Sequence, residues 1–219
     1  MIKSVAVLGL GKYGRSLAEN LSGMGASVLV ADRNEQLIQE FAPKVTAAVC
    51  ANLADEEEVK QLGLRNMDIV VTAMGKDLAP SIMCVVIAKE AGVPLVLSKV
   101  SSSFMASILQ RVGADKVIDP EGASGLRSAR LLMSSSFLDF FQVDDNIGMA
   151  EIRPKPEWEG KTLRQLNLRK KYSLNVVAVK NQDGTWKPVN PADTIHAEES
   201  LLIIAEQEAL EKISLKTRL

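Results

Sequence analysis

Over roughly the first 135 residues, short apolar runs alternate with longer stretches whose apolar positions recur at helical spacing. The runs fall at 4–8, 27–31, 47–51, 68–73, 95–99 and 116–118. Several are nearly unbroken in Val, Ile and Leu, which suits strands buried on both faces. Between them the pattern predicts helices over 14–24, 35–42, 56–62, 80–91, 103–112 and 124–133, with Gly23, Gly25, Gly63, Gly92 and Gly113 near their ends. Six strand–helix units in succession predict an α/β architecture, a doubly wound parallel sheet with helices on both faces.

From Phe137 the period changes. Segments 137–143 and 147–153 alternate like strands of a half-exposed sheet. Pro154 and Pro156 mark a turn, 162–172 reads as a helix, and 175–179 reads as a strand. Gln182-Asp183-Gly184 is a turn leading into 185–189, followed by a strand at 201–205 and a closing helix at 207–214. The reading divides the chain into 1–136, with the helix at 124–133 as its last element, and a small α+β domain at 137–219.

Composition narrows the function. With 26 basic and 27 acidic residues, the chain carries a formal net charge of −1 and has no general attraction for nucleic acid or an anionic membrane. Uncharged runs reach only about 12 residues, short of the ~20 that a spanning helix requires. The start runs directly into a strand pattern, so no signal peptide is expected. Cys50 and Cys84 sit among apolar neighbours and read as small buried side chains in a reducing, cytoplasmic setting.

The sharpest chemical signal is Gly9-Leu10-Gly11-Lys12-Tyr13-Gly14, after the strand pattern Val5-Ala6-Val7-Leu8 and at the start of a helix. Gly9 permits the tight turn, Gly11 lets backbone approach a pyrophosphate, and Gly14 lets the helix pack close to the sheet. The helix N-terminus offers N–H groups and partial positive charge to phosphate oxygens. Asp32, ending the second strand, is placed to accept from both ribose hydroxyls of an adenosine; Arg33 beside it would soften the repulsion of a 2′-phosphate. Gly9…Gly14-Arg15-Ser16 also approaches the spacing of a P-loop, but Arg15 stands where that motif has lysine.

Other candidates lie at strand ends, where such sheets bind ligands. Asn52 either hydrogen-bonds the adenosine or caps a helix. Ala73-Met74-Gly75 either leaves room for phosphates or makes a turn. Lys99 either points toward the phosphates or lies exposed. Glu121 either caps the next helix or coordinates a cation. His196, the single histidine, reads as a solvent-facing turn residue, and the sequence carries no Cys/His metal cluster and no Gly-x-Ser-x-Gly elbow. A hydride-transfer enzyme needs a substrate domain and an acid–base group. Lys99 is the best such group available, so an NAD-dependent oxidoreductase stands as the alternative to a nucleotide that acts as a signal.

These residues resemble the RCK (regulator of potassium conductance) family, specifically the Ktr/Trk-type potassium-uptake regulatory subunits. The resemblance is carried by 7–14 with Asp32, by Leu62-Gly63-Leu64-Arg65-Asn66 before Asp68, by the run from Gly113 to Glu121, and by Gly160-Lys161-Thr162-Leu163-Arg164-Gln165-Leu166 with 201–205. It implies a Rossmann-like N-terminal domain, a crossover helix and a small C-terminal domain, in homodimers that assemble into an octameric ring beneath a membrane potassium transporter, with no catalysis. It implies ATP or ADP as ligand, or NAD/NADH. Gly9, Gly11 and Gly14 would line the pyrophosphate, Asp32 the ribose, Asn52 the adenosine and Lys99 the phosphates. Lys12 stands where relatives carry an arginine that reaches a partner's terminal phosphate, and Glu121 would lie at an interfacial Mg or Ca site. In some members cyclic di-AMP binds between C-terminal domains, a region that here holds Arg169, Asn175, Val176 and Val177. The run Arg169-Lys170-Lys171 also reads as a solvated helix end.

Overall fold

The computed structural model describes residues 2–134 and 137–215, and these form two compact units, Met1–Gly122 and Ala123–Leu219. In the first, strands β1 (Ser4–Leu8), β2 (Ser27–Asp32), β3 (Ala47–Cys50), β4 (Ile69–Thr72), β5 (Leu95–Lys99) and β6 (Lys116–Ile118) form one parallel sheet in the order β3-β2-β1-β4-β5-β6. Helices α1 (Lys12–Gly23), α2 (Glu35–Phe41), α3 (Glu56–Gln61), α4 (Leu78–Glu90) and α5 (Ser103–Arg111) connect them.

The unbroken apolar strands are explained by the two cores they serve. Alternate residues of a strand face opposite ways. Ala6 and Leu8 join Val70, Val96, Val59, Cys84, Val85 and Leu109 in one core, while Val5 and Val7 join Val28, Val30, Ala18, Ile38 and Phe41 in the other. Side chains cap the first turns of three helices: Asn34 accepts from Leu37 N–H, Asp55 from Glu57 and Glu58 N–H, and Ser102 from Met105 N–H.

At the β5–β6 edge, Asp115 accepts the Val96 N–H at 2.7 Å and pairs with Lys89 at 3.0 Å. The Val96 N–H and then Lys89 hold its carboxyl below the usual carboxylate range. A depressed carboxylate contributes stability above its unfolded pKa, and that contribution is lost as pH falls through the folded value. Urea melts from pH 6 down to pH 3 are expected to show less acid destabilisation, below about pH 4, in Asp115→Asn than in the natural protein.

In the second unit, β7 (Phe137–Gln142), β8 (Ile147–Ile152), β9 (Asn175–Lys180), β10 (Trp186–Pro188) and β11 (Ser200–Glu206) form an antiparallel sheet in the order β10-β9-β11-β8-β7. Its core gathers Trp158, Phe140, Ile152, Leu201, Ile203 and Leu210. Helix α6 (Pro120–Met133) has no buried residue; its first three residues belong to the first unit, and the contacts of the rest lie in the second: Arg127 with Asp139 at 2.8 Å, Arg130 with Gln207, and the two guanidiniums over the rings of Phe141 and Phe140 respectively. The compact units therefore divide after Gly122, whereas the sequence reading keeps that helix with residues 1–136. The helix expected over 162–172 is two, α7 (Leu163–Leu166) and α8 (Leu168–Tyr172), followed at the end of the unit by α9 (Gln207–Leu215). Asn167, at φ +47°, breaks it; an asparagine tolerates the left-handed region better than most residues.

Among the described residues, no helix is long and apolar enough to cross a membrane. The expectation of two buried cysteines holds for Cys84, whose thiol is pushed up to about 12 by burial. It fails for Cys50, which is exposed because β3 is an edge strand with one open flank. His196 lies at a turn with its side chain 55% exposed, 3.4 Å from Glu159.

Candidate functional site

The order β3-β2-β1-β4 places the change of winding direction between β1 and β4, and connections leaving two adjacent strands in opposite directions open a crevice at their C-terminal ends. A cleft of about 380 Å3 lies there, within the roughly 300–1,000 Å3 of small-molecule sites. Of the residues singled out from sequence, Gly9, Gly11, Asp32, Arg33, Asn52, Ala73 and Met74 line it.

The three glycines of the turn do three different things. Gly9 has φ +102°, and a Cβ there would stand 2.8 Å from Met74 Cγ. Gly14 is buried under the turn, where a Cβ would stand 2.0 Å from the Gly9 carbonyl oxygen. Gly11 has ordinary φ and ψ of −62° and −179°, nothing within 4 Å of a built Cβ, and no side-chain cap on the helix it precedes. Only at Gly11 does the fold leave the missing side chain unexplained, and there the missing side chain keeps the cleft wall at the level of the backbone. The α1 N-terminus, with its unpaired N–H groups, is thus open to an anion.

Asp32 is half-buried and already committed on both oxygens. Oδ2 accepts the Leu10 N–H at 2.6 Å and Oδ1 accepts the Asn34 N–H at 2.9 Å. A carboxylate has about four acceptor positions, so about two remain for hydroxyl donors from the cleft. One side chain therefore ties the glycine turn to the end of β2 and faces the space where a sugar would lie. Asn52 is not the helix cap: Asp55 fills that role, while Asn52 Oδ1 accepts the Ala54 N–H at 3.2 Å and its N–H donates to Glu58.

The other candidates stand outside the cleft wall. Lys12 is exposed at the first position of α1. Tyr13 and Arg15 are half-buried; Tyr13 packs into the core beneath α1, where burial raises its phenol, and Arg15 N–H closes the first helical bond on Gly11 O at 3.0 Å. Lys99 neither lies exposed nor points into the cleft. Its stem crosses Gly75, where a Cβ would come within 3.1 Å of Lys99 Cδ and Cε, and its ammonium pairs with Glu121 at 2.6 Å. That pair, the Lys99 hydrogen bond first, holds the Glu121 carboxyl below its ordinary range. Glu121 does not cap α6 either; Asp119 Oδ1 accepts the Gly122 N–H at 2.9 Å. Among the described residues, no group of three His, Cys, Asp or Glu is arranged to hold a metal.

In the second unit, Arg169 lies on α8 and Asn175, Val176 and Val177 open β9. Asn175 and Val177 are exposed, and the register between β11 and β9 shifts beside Val177. Sequence reasoning missed Leu37, Leu53, Asp77 and Pro80, which also line the cleft. The signal for Asp77 was present: a carboxylate two residues after Gly75, beyond a strand end.

Residues 5–120 match the TrkA-N domain and residues 149–216 the TrkA-C domain. The Ktr system potassium uptake protein C of Bacillus subtilis (strain 168) is 35% identical over 206 residues, covering 93% of this chain and 92% of that protein. The chain belongs to the TrkA-N/TrkA-C family. A second relative in it, the Ktr system potassium uptake protein A of Vibrio alginolyticus, is 35% identical over 208 residues, covering 95% of this chain and 94% of its own. The crystal structure of the GsuK RCK domain superposes with a TM-score of 0.67 at 13% identity. It covers 98% of this chain, which spans about half (47%) of that one. At that identity the likeness establishes the family fold, which agrees with the Rossmann-like expectation.

Proposed function

We propose that this protein is a regulatory subunit of a Ktr-type potassium uptake system, responding to an adenine nucleotide and catalysing no reaction. The relatives named above, matched over nearly their whole length, support the potassium-uptake setting. The observation that carries the ligand is Gly11, a glycine that the fold does not need, beside an open helix N-terminus and a strand-end carboxylate.

Gly9, Gly11 and the first N–H groups of α1 would hold the diphosphate, Asp32 the ribose, and Leu37 and Leu53 an apolar wall for the base. The nucleotide supplies differential binding to two shapes of an assembly. Moving that assembly from 1:99 to 99:1 takes about 5.5 kcal/mol, or about 0.7 kcal/mol from each of eight sites in an octameric ring of dimers. In such a ring, docked on the cytoplasmic face of a membrane potassium transporter, Lys12 would reach a neighbouring subunit's ligand, a role its exposure supports. No divalent-cation step is assigned to Glu121. The exposed Asn175–Val177 edge with Arg169 supports cyclic di-AMP as a second effector of the C-terminal unit. The oxidoreductase alternative gains no support, since its acid–base candidate Lys99 is held by Glu121.

Thermal shift with ADP, ATP and NADH tests the reading. A ligand at 100 times its Kd adds roughly 2.7 kcal/mol of stability. Gly11→Ala is expected to leave the ligand-free melting point unchanged or slightly raised, because its backbone angles suit any residue, and to weaken nucleotide binding by about tenfold or more through lost close approach. Turnover of NADH with carbonyl compounds, alongside no shift from ADP or ATP, would overturn it.

A further inference from the structure

We propose that Asp77 determines specificity in the cleft, disfavouring ligands that extend beyond a diphosphate with more negative charge. This rests on the adenine-nucleotide reading above and names the ligand class within it: a nucleoside diphosphate, or a diphosphate whose far end carries a neutral hydroxyl-bearing group, in preference to a free triphosphate.

The sheet order supplies the direction. Asp32 ends β2, the Gly9–Gly11 turn follows β1, and Asp77 follows β4, while the strands lie side by side as β2-β1-β4. A nucleotide with its sugar at Asp32 and its diphosphate at the turn therefore runs toward Asp77, which lines the same cleft. The next group along the ligand meets a carboxylate.

That carboxylate is uncommitted. Asp77 stands at the N-cap of α4, yet its side chain makes no cap hydrogen bond, unlike Asn34, Asp55 and Ser102 at their helices. Its backbone is nevertheless fixed, with the N–H donating to Met74 O at 2.9 Å and the carbonyl accepting the Ser81 hydroxyl at 2.7 Å. The side chain is held at the cleft wall by the chain on either side of it and has its full acceptor capacity free.

No charged residue of the cleft wall pairs with it. The charged residues of the cleft wall are Asp32, Arg33 and Asp77, a net of −1, and Arg33 lies beside Asp32 at the sugar end. Lys99, on the strand beyond β4, is engaged by Glu121. Lys76, next to Asp77 in the chain, is exposed and is not part of that wall, so within the wall a terminal phosphate near Asp77 meets repulsion, while a hydroxyl group there finds an acceptor. One like charge ~6 Å away at an effective dielectric of ~40 weakens binding about tenfold. A divalent cation carried on the triphosphate would offset that repulsion.

Isothermal titration of ADP and ATP into the full chain and into Asp77→Asn, in EDTA and in excess Mg2+, tests this. In EDTA the natural protein is expected to bind ADP about tenfold more tightly than ATP. Asp77→Asn should narrow the ratio at least about fivefold by tightening ATP, with ADP changed less than about twofold, and Mg2+ should narrow it in the natural protein. An ADP/ATP ratio that Asp77→Asn leaves unmoved, or equal weakening of both ligands, overturns the proposal and leaves the nucleotide reading standing. If neither nucleotide binds the natural protein, the reading fails and this inference with it.

Discussion

Gly14→Ala is expected to unfold much of the first unit's population under mild denaturant. The added Cβ would lie 2.0 Å from the Gly9 carbonyl oxygen and 3.1 Å from its carbon, with Ala73 Cβ at 3.2 Å. The obstacle is backbone, so no rotamer change relieves it. Either α1 moves off the sheet or the turn after β1 opens, and the turn is held by Gly9 N–H to Ala31 O at 2.8 Å. Overpacking commonly costs about 1–3 kcal/mol, and a contact against fixed backbone belongs at or above the top of that range. Set against a typical total of about 5–15 kcal/mol, the urea midpoint should fall sharply, and nucleotide binding should fall with it. Gly11→Ala, three residues earlier, should do the opposite: an unchanged midpoint with weakened binding. If Gly14→Ala melts like the natural protein, the close packing of α1 on the turn is wrong.

Asp32→Ala is expected to act on fold and ligand together. It removes the acceptor for the Leu10 N–H, leaving a donor without its partner at a residue that is 0% exposed, and also the acceptor for Asn34 N–H. Losing one charge-assisted bond to a buried donor costs roughly 1.5–3 kcal/mol, so the ligand-free protein should lose about 2 kcal/mol in urea melts. Binding of every adenosine ligand, measured by titration, should fall about thirtyfold or more, because the two remaining acceptor positions for ribose hydroxyls go as well. A carboxylate that served only the ligand would leave ligand-free stability within about 0.5 kcal/mol.

Much of the fold is legible from the chain because a buried parallel strand must be apolar on both sides. Segments 4–8, 95–99 and 116–118 agree with β1, β5 and β6 residue for residue. Other ends shift by one to four residues, as at α6, which begins at Pro120 where the pattern places its start at 124. The break at Asn167 escaped because a capping box at Thr162 and Gln165 and a basic stretch after it both suit a continuous helix. The left-handed backbone at one residue leaves no mark in periodicity.

At the site, the glycine turn and Asp32 were legible because each demands a particular residue type at a particular spacing. Lys99, Glu121 and Cys50 were not. Whether a strand-end lysine points into a cleft depends on which acid lies within reach, and Glu121 is 22 residues away in sequence. Whether a cysteine in an apolar run is buried depends on its strand's place in the sheet, and β3 lies at the edge.

By itself the amino-acid order determined that six apolar runs would stack as a two-sided sheet and that a glycine-lined turn and an acid about 20 residues on would meet at the C-terminal ends of its strands. Local backbone preference and the pairing of apolar faces suffice for that much. Only the tertiary arrangement decided which charges remain for a ligand. It consumed half of Asp32's acceptor capacity on two backbone N–H groups, neutralised Lys99 with Glu121, and left Asp77 unpaired at the cleft wall. The physical reason is that an ionic group's availability is set by neighbours a few ångströms away in space, which linear spacing along the chain does not encode.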